Sequence, residues 1–325
     1  METIVISPLV GRRPVRGIPT VRMAAVSVAI VLSAMIVDLV TLTGCGNAPH
    51  PQAAKVVAST DAWGSVVGEV ADGHVTVKSI LTNGAIDPHT YEVSPVDDAA
   101  IADAALVVYN GGGYDPWVDR VLTAHPRIES VDAYSLLPPA PDGGGRPNEH
   151  VFYNLDVAKS VAAKVADKLA TIDPRNAAGY RANAAKFGRG ADVIAGSEHA
   201  IATTHPGAHV IATEPVAYYL LAACDLVNQA PPAFTAATEN DDEPSPADMA
   251  YVLDLINNRQ VSAVLINPQT STAATKDVQT AARRVGVPVI EVPEMLGTRT
   301  NYLIWQRNTV NSLAAALGRG DNHGS

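Results

Sequence analysis

The chain contains very little cysteine, which limits the kinds of protein it can be. Two of its 325 residues are cysteines, Cys45 and Cys224, so a disulfide-rich scaffold is excluded. Cys224 ends an apolar, helix-like stretch over residues 220–224. Because an unpaired cysteine behaves as a small hydrophobic side chain, we predict that Cys224 is buried and is neither a ligand nor a nucleophile.

Positive charge is also scarce. The chain has 23 Lys and Arg residues against 33 Asp and Glu residues, which gives a formal net charge of −10. Affinity for nucleic acid depends on basic side chains that neutralise phosphates. We therefore expect no nucleic-acid partner.

The N-terminal region has the layout of an export signal. Four arginines precede a mostly apolar run over residues 23–42, and the segment Leu42-Thr43-Gly44-Cys45 has the pattern of a lipobox. This pattern predicts a lipoprotein signal peptide over residues 1–44, a lipid anchor on Cys45 and a tether over residues 45–54. The mature chain is then extracytoplasmic and anchored to the cell membrane.

Two alternatives remain open for this region. The apolar run approaches the length of about 20 residues that a membrane-spanning helix requires, although the carboxylate of Asp38 within it would be costly in hydrocarbon. Translation could also begin at Met23 instead of Met1, which would remove all four arginines from the signal.

Beyond the tether, short apolar runs alternate with helical patterns, which is typical of βαβ units and parallel sheets. A long helical stretch divides the predicted strands into two groups. The helix over 174–204 begins at Asp173-Pro174, where Asp173 is expected to accept from free backbone amides. It would be on the order of 45 Å long. The predicted strands are Val56–Ser59, Val75–Ile80, Leu106–Tyr109, Ile128–Val131, His209–Thr213, Ala263–Asn267 and Pro288–Val292.

These patterns predict an α/β fold of two lobes, each with a parallel sheet flanked by helices, joined by one long rigid helix. We place the N-terminal lobe at residues 55–172, the linking helix at 173–205, the C-terminal lobe at 206–318 and a tail at 319–325.

Four polar residues follow predicted strands or loops where a ligand could bind. Ligands of parallel α/β sheets bind beyond the carboxyl ends of the strands. His89 follows the second predicted strand, Glu214 and Glu294 follow the fifth and seventh, and His150 follows a Pro/Gly-rich loop over residues 138–147. Two neutral imidazoles and two carboxylates would bring a divalent cation to formal neutrality, which permits burial between lobes. The set therefore predicts a metal site.

Glu291 is the alternative to Glu294 as the fourth ligand. It lies inside the last predicted strand, and a strand side chain points along the sheet normal instead of off the strand end. We therefore prefer Glu294.

Several segments together resemble one known family. They are Asp-Pro-His-Thr-Tyr-Glu over residues 87–92, Val-Tyr-Asn-Gly-Gly-Gly-Tyr-Asp-Pro-Trp over 108–117, the helix start over 173–184, and Tyr-Leu-Ile-Trp-Gln-Arg-Asn over 302–308. They resemble the metal-binding lipoproteins of zinc and manganese ABC importers, the ZnuA/TroA/PsaA type. The resemblance implies a TroA-like solute-binding fold, a transport receptor instead of an enzyme, and a cognate ABC permease as partner. We also expect a monomer.

The resemblance also assigns the four candidate ligands. His89 is similar to the family's first ligand and His150 to the second, although the usual Asp-Pro and Trp neighbours of the second ligand are absent. Glu214 stands where zinc-type members often have His and manganese-type members have Glu, and Glu294 replaces the usual final Asp. We favour Zn²⁺ as the transported ion, since zinc binds most N/O sites more tightly than manganese; Mn²⁺ or Fe²⁺ remains possible.

Two other function classes stay open. A secreted metallohydrolase could also gather histidines and carboxylates at strand ends, but the chain has no H-E-x-x-H helix and no carboxylate evidently spare as a general base. A surface adhesin is suggested for some relatives of the family, and no residue in this sequence argues for it.

Overall fold

The computed structural model describes residues 55–82, 84, 86–139, 146–297 and 300–320. The predicted signal peptide, Cys45 and the tether lie outside these residues. None of the helices in the described part of the chain combines the length and the hydrophobicity needed to cross a bilayer.

Strands and helices alternate along the described chain. The strands are β1 Lys55–Thr60, β2 Thr76–Leu81, β3 Leu106–Tyr109, β4 Ser130–Asp132, β5 His209–Ala212, β6 Val227–Asn228, β7 Ala263–Ile266 and β8 Val289–Glu291. The α-helices are α1 Asp61–Ala71, α2 Pro95–Ala102, α3 Pro116–Ala124, α4 Leu155–Ile172, α5 Ala177–Thr204, α6 Tyr218–Ala223, α7 Pro232–Glu239, α8 Pro246–Asn257, α9 Ala273–Val285 and α10 Tyr302–Gly320.

The strands form two parallel sheets of identical topology. The first has the order β2-β1-β3-β4 and the second the order β6-β5-β7-β8, and every pairing is parallel. Parallel strands end at one edge of a sheet, so the loops that follow them cluster there. The predicted fold class is confirmed, and the short strand β6 is the one element of either sheet that the sequence pattern did not predict.

The long helix α5 connects the two sheets. It spans 28 residues after a 3-10 turn at Pro174–Asn176, or about 42 Å at 1.5 Å per residue. The expected capping of backbone amides by Asp173 is wrong. Its carboxylate instead accepts hydrogen bonds from the Asn176 amide at 2.6 Å and the Tyr180 hydroxyl at 2.9 Å, because these donors follow it by three and seven residues, about one and two helical turns along the same face.

One hydrophobic core runs through both sheets and the helices between them. It includes Val56 and Val108 of the first sheet, Leu265 of the second, and Phe187 of α5. Cys224 is fully buried in this core, as predicted, and burial raises the pKa of its thiol to about 12.

The last helix, α10, returns to the N-terminal part of the chain. The backbone N–H of Tyr302 donates to Ser65 Oγ at 2.9 Å, and its hydroxyl donates to the Phe152 carbonyl at 2.7 Å. Gly190 of α5 lies so close to α10 that an added Cβ would stand 2.6 Å from Leu303. The lobe boundaries at residues 172, 205 and 318 stay a prediction.

Candidate metal centre

The four predicted ligands lie in loops at the carboxyl ends of the strands. His89 lies between β2 and α2, His150 precedes a 3-10 turn, and Glu214 and Glu294 follow β5 and β8. His150, Glu214 and Glu294 are buried, with 1 %, 2 % and 9 % of their surface exposed, whereas the His89 side chain is 26 % exposed. The site therefore has an open side at His89.

The two imidazoles are held by the same local arrangement. Oδ1 of Asp87 accepts from the backbone N–H of His89 at 2.9 Å and contacts its Nδ1 at 3.0 Å. Oδ1 of Asn148 contacts the backbone N and Nδ1 of His150 at 2.9 and 3.1 Å. Because these oxygens can only accept, each Nδ1 carries the hydrogen and each Nε2 keeps its lone pair. The ring centroids lie 5.9 Å apart.

A single amide joins the two predicted carboxylate ligands. Nδ2 of Asn267, which follows β7, lies 2.9 Å from both Glu214 Oε2 and Glu294 Oε1. The Thr270 hydroxyl donates to the same Glu214 oxygen at 3.0 Å. The structure thus brings Glu214 and Glu294 together, and it fixes the orientation of both side chains.

Tyr114 connects the imidazoles to the carboxylates. Its ring lies 4.8 Å from the His89 ring and 5.6 Å from the His150 ring, between centroids. Its hydroxyl donates to Glu294 Oε2 at 3.0 Å. Tyr114 follows three glycines with positive φ, from Gly111 to Gly113, a conformation that side chains other than glycine rarely adopt. The motif over residues 108–117 therefore places a buried tyrosine in the site.

Sequence reasoning missed one acidic residue of the site. Glu239, the last residue of α7, places Oε1 3.5 Å from Nε2 of His150. Ligand atoms of His89, His150 and Glu239 all lie within 4.8 Å of one another. A carboxylate at a helix C-terminus faces the negative end of the helix dipole, and this unfavourable position is the signal that could have identified Glu239.

Glu291 lies apart from this group. It is an exposed residue of β8, and it lines a different surface cleft beside Trp305. Glu294 instead lines a cavity of about 150 Å³ together with His89 and Glu239.

Several ligand-type atoms of the site are buried without a hydrogen-bond partner. They are Nε2 of His89, Nε2 of His150, Oε1 of Glu214 and Oε1 of Glu239. Buried polar atoms are almost always paired, so the unpaired acceptors of His89, His150 and Glu239, which lie within 4.8 Å of one another, favour a cation between them; among the described residues, Glu214 and Glu294 are not part of this group. Both oxygens of Glu294 already accept one hydrogen bond, and each retains a second lone pair.

The shifted pKa values of the site residues also favour a bound cation. Burial raises the pKa of Glu214 to about 8 and that of Glu239 to about 7, and burial also raises the pKa of Glu294. Burial lowers the pKa of His150 to about 3. Burial opposes protonation of His89 as well, but the hydrogen bond to Asp87 and nearby carboxylates outweigh it, and the pKa of His89 is raised. A divalent ion that displaces the protons would offset the free-energy cost of burying ionised carboxylates.

Comparison with known proteins is consistent with this geometry. The family described as "Zinc-uptake complex component A periplasmic", ZnuA, matches residues 56–316. The metal ABC transporter substrate-binding lipoprotein SsaB of Streptococcus sanguinis is 27 % identical over 171 residues, which are 47 % of this chain and 54 % of SsaB. The chain thus spans about half the length of the curated relatives it matches. These relatives are named as substrate-binding proteins of metal ABC transporters, not as enzymes.

Solved structures share the fold. The periplasmic zinc-binding protein TroA of Treponema pallidum superposes with a TM-score of 0.68 at 17 % identity, covering 82 % of this chain and 99 % of TroA. The SBP FpvC of Pseudomonas aeruginosa in complex with Mn²⁺ gives 0.66 at 20 % identity, covering 82 % of this chain and 99 % of FpvC. The resemblance inferred from the motifs is confirmed: with the family matched over residues 56–316, the chain belongs to the ZnuA family of metal-binding proteins.

Proposed function

We propose that this protein is an extracytoplasmic receptor that captures a divalent transition-metal ion between its two lobes and delivers it to an ABC permease. The observation that carries the proposal is the convergence of acceptor atoms from both halves of the chain: ligand atoms of His89, His150 and Glu239 lie within 4.8 Å of one another, and Nε2 of both histidines, Oε1 of Glu239 and Oε1 of Glu214 are buried without a hydrogen-bond partner. Such a set has the chemistry of a closed coordination shell, which suits a carrier better than a metalloenzyme that keeps a position open.

In this proposal the ion is cargo, and its ligands are His89, His150, Glu214 and Glu294. The imidazoles are kept in the correct tautomer by Asp87 and Asn148, as metal-binding histidines require. Two ionised glutamates neutralise the charge of the ion, so that it can leave water for a buried site. Zinc is the favoured ion by the affinity order of divalent metals, with manganese and iron as the alternatives.

We further propose that the receptor is tethered to the membrane through a lipid on Cys45, acts as a monomer and meets its permease there. Relatives named as lipoproteins of metal ABC transporters support this location. Membrane fractionation tests it: the wild type should sediment with membranes, and Cys45→Ala should release the protein into the soluble fraction. Release of both proteins alike would contradict the anchor.

Calorimetric titration of the metal-free chain with Zn²⁺ tests the metal site. The wild type should bind one ion per chain, and His89→Ala or Glu214→Ala should abolish tight binding while the circular dichroism spectrum stays unchanged. His199→Ala is the matched control, because His199 is exposed on α5. Wild-type affinity in either site variant would overturn the assignment.

A further inference from the structure

Glu239 lies close to His150 without forming a hydrogen bond with it. Its Oε1 lies 3.5 Å from Nε2 of His150, yet neither atom has a hydrogen-bond partner and both are buried. His150 is 1 % exposed, so bulk water has little access to its Nε2.

The tautomer of His150 makes the contact unfavourable when Glu239 is ionised. Oδ1 of Asn148 accepts from the backbone N–H of His150, which fixes the amide orientation, and the same oxygen faces Nδ1. The hydrogen of the neutral ring therefore sits on Nδ1, and Nε2 presents a lone pair to a carboxylate oxygen. When Glu239 is ionised, two acceptors face each other, an arrangement that a metal ion bound to both would stabilise.

A hydrogen bond of the neighbouring residue holds Glu239 in position. Thr238 is fully buried, and its hydroxyl donates to the carbonyl of Thr213, the residue before Glu214. The C-terminal end of α7 is therefore hydrogen-bonded to the segment that carries Glu214. Glu239 also lines the cavity that opens beside His89, and its side chain is 21 % exposed. It thus stands between solvent and the buried ligands.

We infer that Glu239 is an additional metal ligand, which turns the site into one of two imidazoles and three carboxylates and shifts its selectivity toward ions that prefer oxygen donors. This inference rests on the proposed function. Zinc is satisfied by about four ligands, whereas manganese prefers carboxylate oxygens in about octahedral geometry. The extra oxygen therefore strengthens manganese or iron binding more than zinc binding, although zinc can still bind more tightly in absolute terms.

The inference is tested by competition titrations of Zn²⁺ and Mn²⁺ with the metal-free full chain. Glu239→Gln keeps the size of the side chain and removes its charge. We expect it to weaken Mn²⁺ binding about 100-fold and Zn²⁺ binding about tenfold or less, within the range seen when metal-site residues are altered. Asp241→Asn is the matched control, since Asp241 is an exposed acid that lines the same cavity; it should change neither affinity more than about threefold.

A second measurement separates ligation from a general charge effect. The visible spectrum of bound Co²⁺ depends on the number of ligands, so Glu239→Gln should change it and Asp241→Asn should not. Identical Co²⁺ spectra, or equal losses of Zn²⁺ and Mn²⁺ affinity in Glu239→Gln, would overturn the inference. If instead the wild type bound neither ion, the proposed function itself would fail.

Discussion

The hydroxyl of Tyr114, from the N-terminal part of the chain, donates a hydrogen bond of 3.0 Å to Oε2 of Glu294, from the C-terminal part. Tyr114 is fully buried, so no water can replace this bond. It orients a proposed metal ligand and joins the two sides of the site in a single contact.

We expect Tyr114→Phe to weaken Zn²⁺ binding about tenfold, because a hydrogen bond to a charged group contributes about 1.5–3 kcal/mol. Calorimetric titration measures this loss. Tyr180→Phe is the control, since its hydroxyl also donates to a carboxylate, that of Asp173, far along the chain from the site. Equal affinities in the two variants would contradict a positioning role for Tyr114.

The amide of Asn148 should be needed to hold His150. Asn148→Ala removes the acceptor for Nδ1, so the ring can rotate or change tautomer, and metal affinity should fall about 10–100-fold. Asn148→Asp restores an acceptor like that of Asp87 beside His89, and it should recover most of the affinity. Titration of both variants checks this; equal loss in the two would show that the acceptor is not what matters.

Metal binding should become tighter as the pH rises from about 6 to 8. Burial raises the pKa of Glu239 to about 7 and that of Glu214 to about 8, so both glutamates are largely protonated below pH 6. A metal ion must displace these protons. Titrations in buffers of different ionisation enthalpy measure the protons released per ion. Affinity that is constant over this range, without proton release, would contradict the prediction.

A buried carboxyl outside the site should contribute to the pH dependence of stability. Glu198 of α5 is 3 % exposed, with Oε1 unpaired, and burial, followed by the charge of Asp156, raises its pKa from 4.5 to about 7. Folding favours the protonated form, so the contribution of Glu198 to stability is fully present below pH 4.5 and is lost as the pH rises through about 7.

Glu198→Gln should therefore stabilise the protein at pH 8 by about 1–3 kcal/mol, since each pKa unit corresponds to about 1.36 kcal/mol. At pH 4 it should have little effect. Thermal unfolding at the two pH values checks this; a variant that melts at a lower temperature than the wild type at pH 8 would refute the stated cause.

Most of the fold could be predicted because its signals are local. The apolar strand of Leu106–Tyr109 was predicted with its observed bounds, and the end of α5 at Thr204 was predicted correctly. The strand Val227–Asn228 has two residues, too few for a periodic pattern. The candidate site could be predicted from residues that follow strand ends, because ligands of parallel sheets bind there.

Other parts of the site depend on contacts that no local pattern encodes. Glu239 reaches His150 from the end of a helix 89 residues later in the chain, and Asn267 joins Glu214 and Glu294 from a third strand. The contact of Glu239 with His150 depends on how the two halves of the chain pack, and the contact of Asn267 with both glutamates depends on β7 lying between β5 and β8 in the second sheet; composition and spacing specify neither.

The most direct test of the account is X-ray absorption spectroscopy of the zinc-loaded protein at the zinc edge. We predict two imidazole nitrogens at about 2.0–2.1 Å and carboxylate oxygens at about 2.0–2.2 Å. The histidine signal should be reduced in His89→Ala. A sulfur neighbour at about 2.3 Å, or a shell without imidazole, would contradict the account.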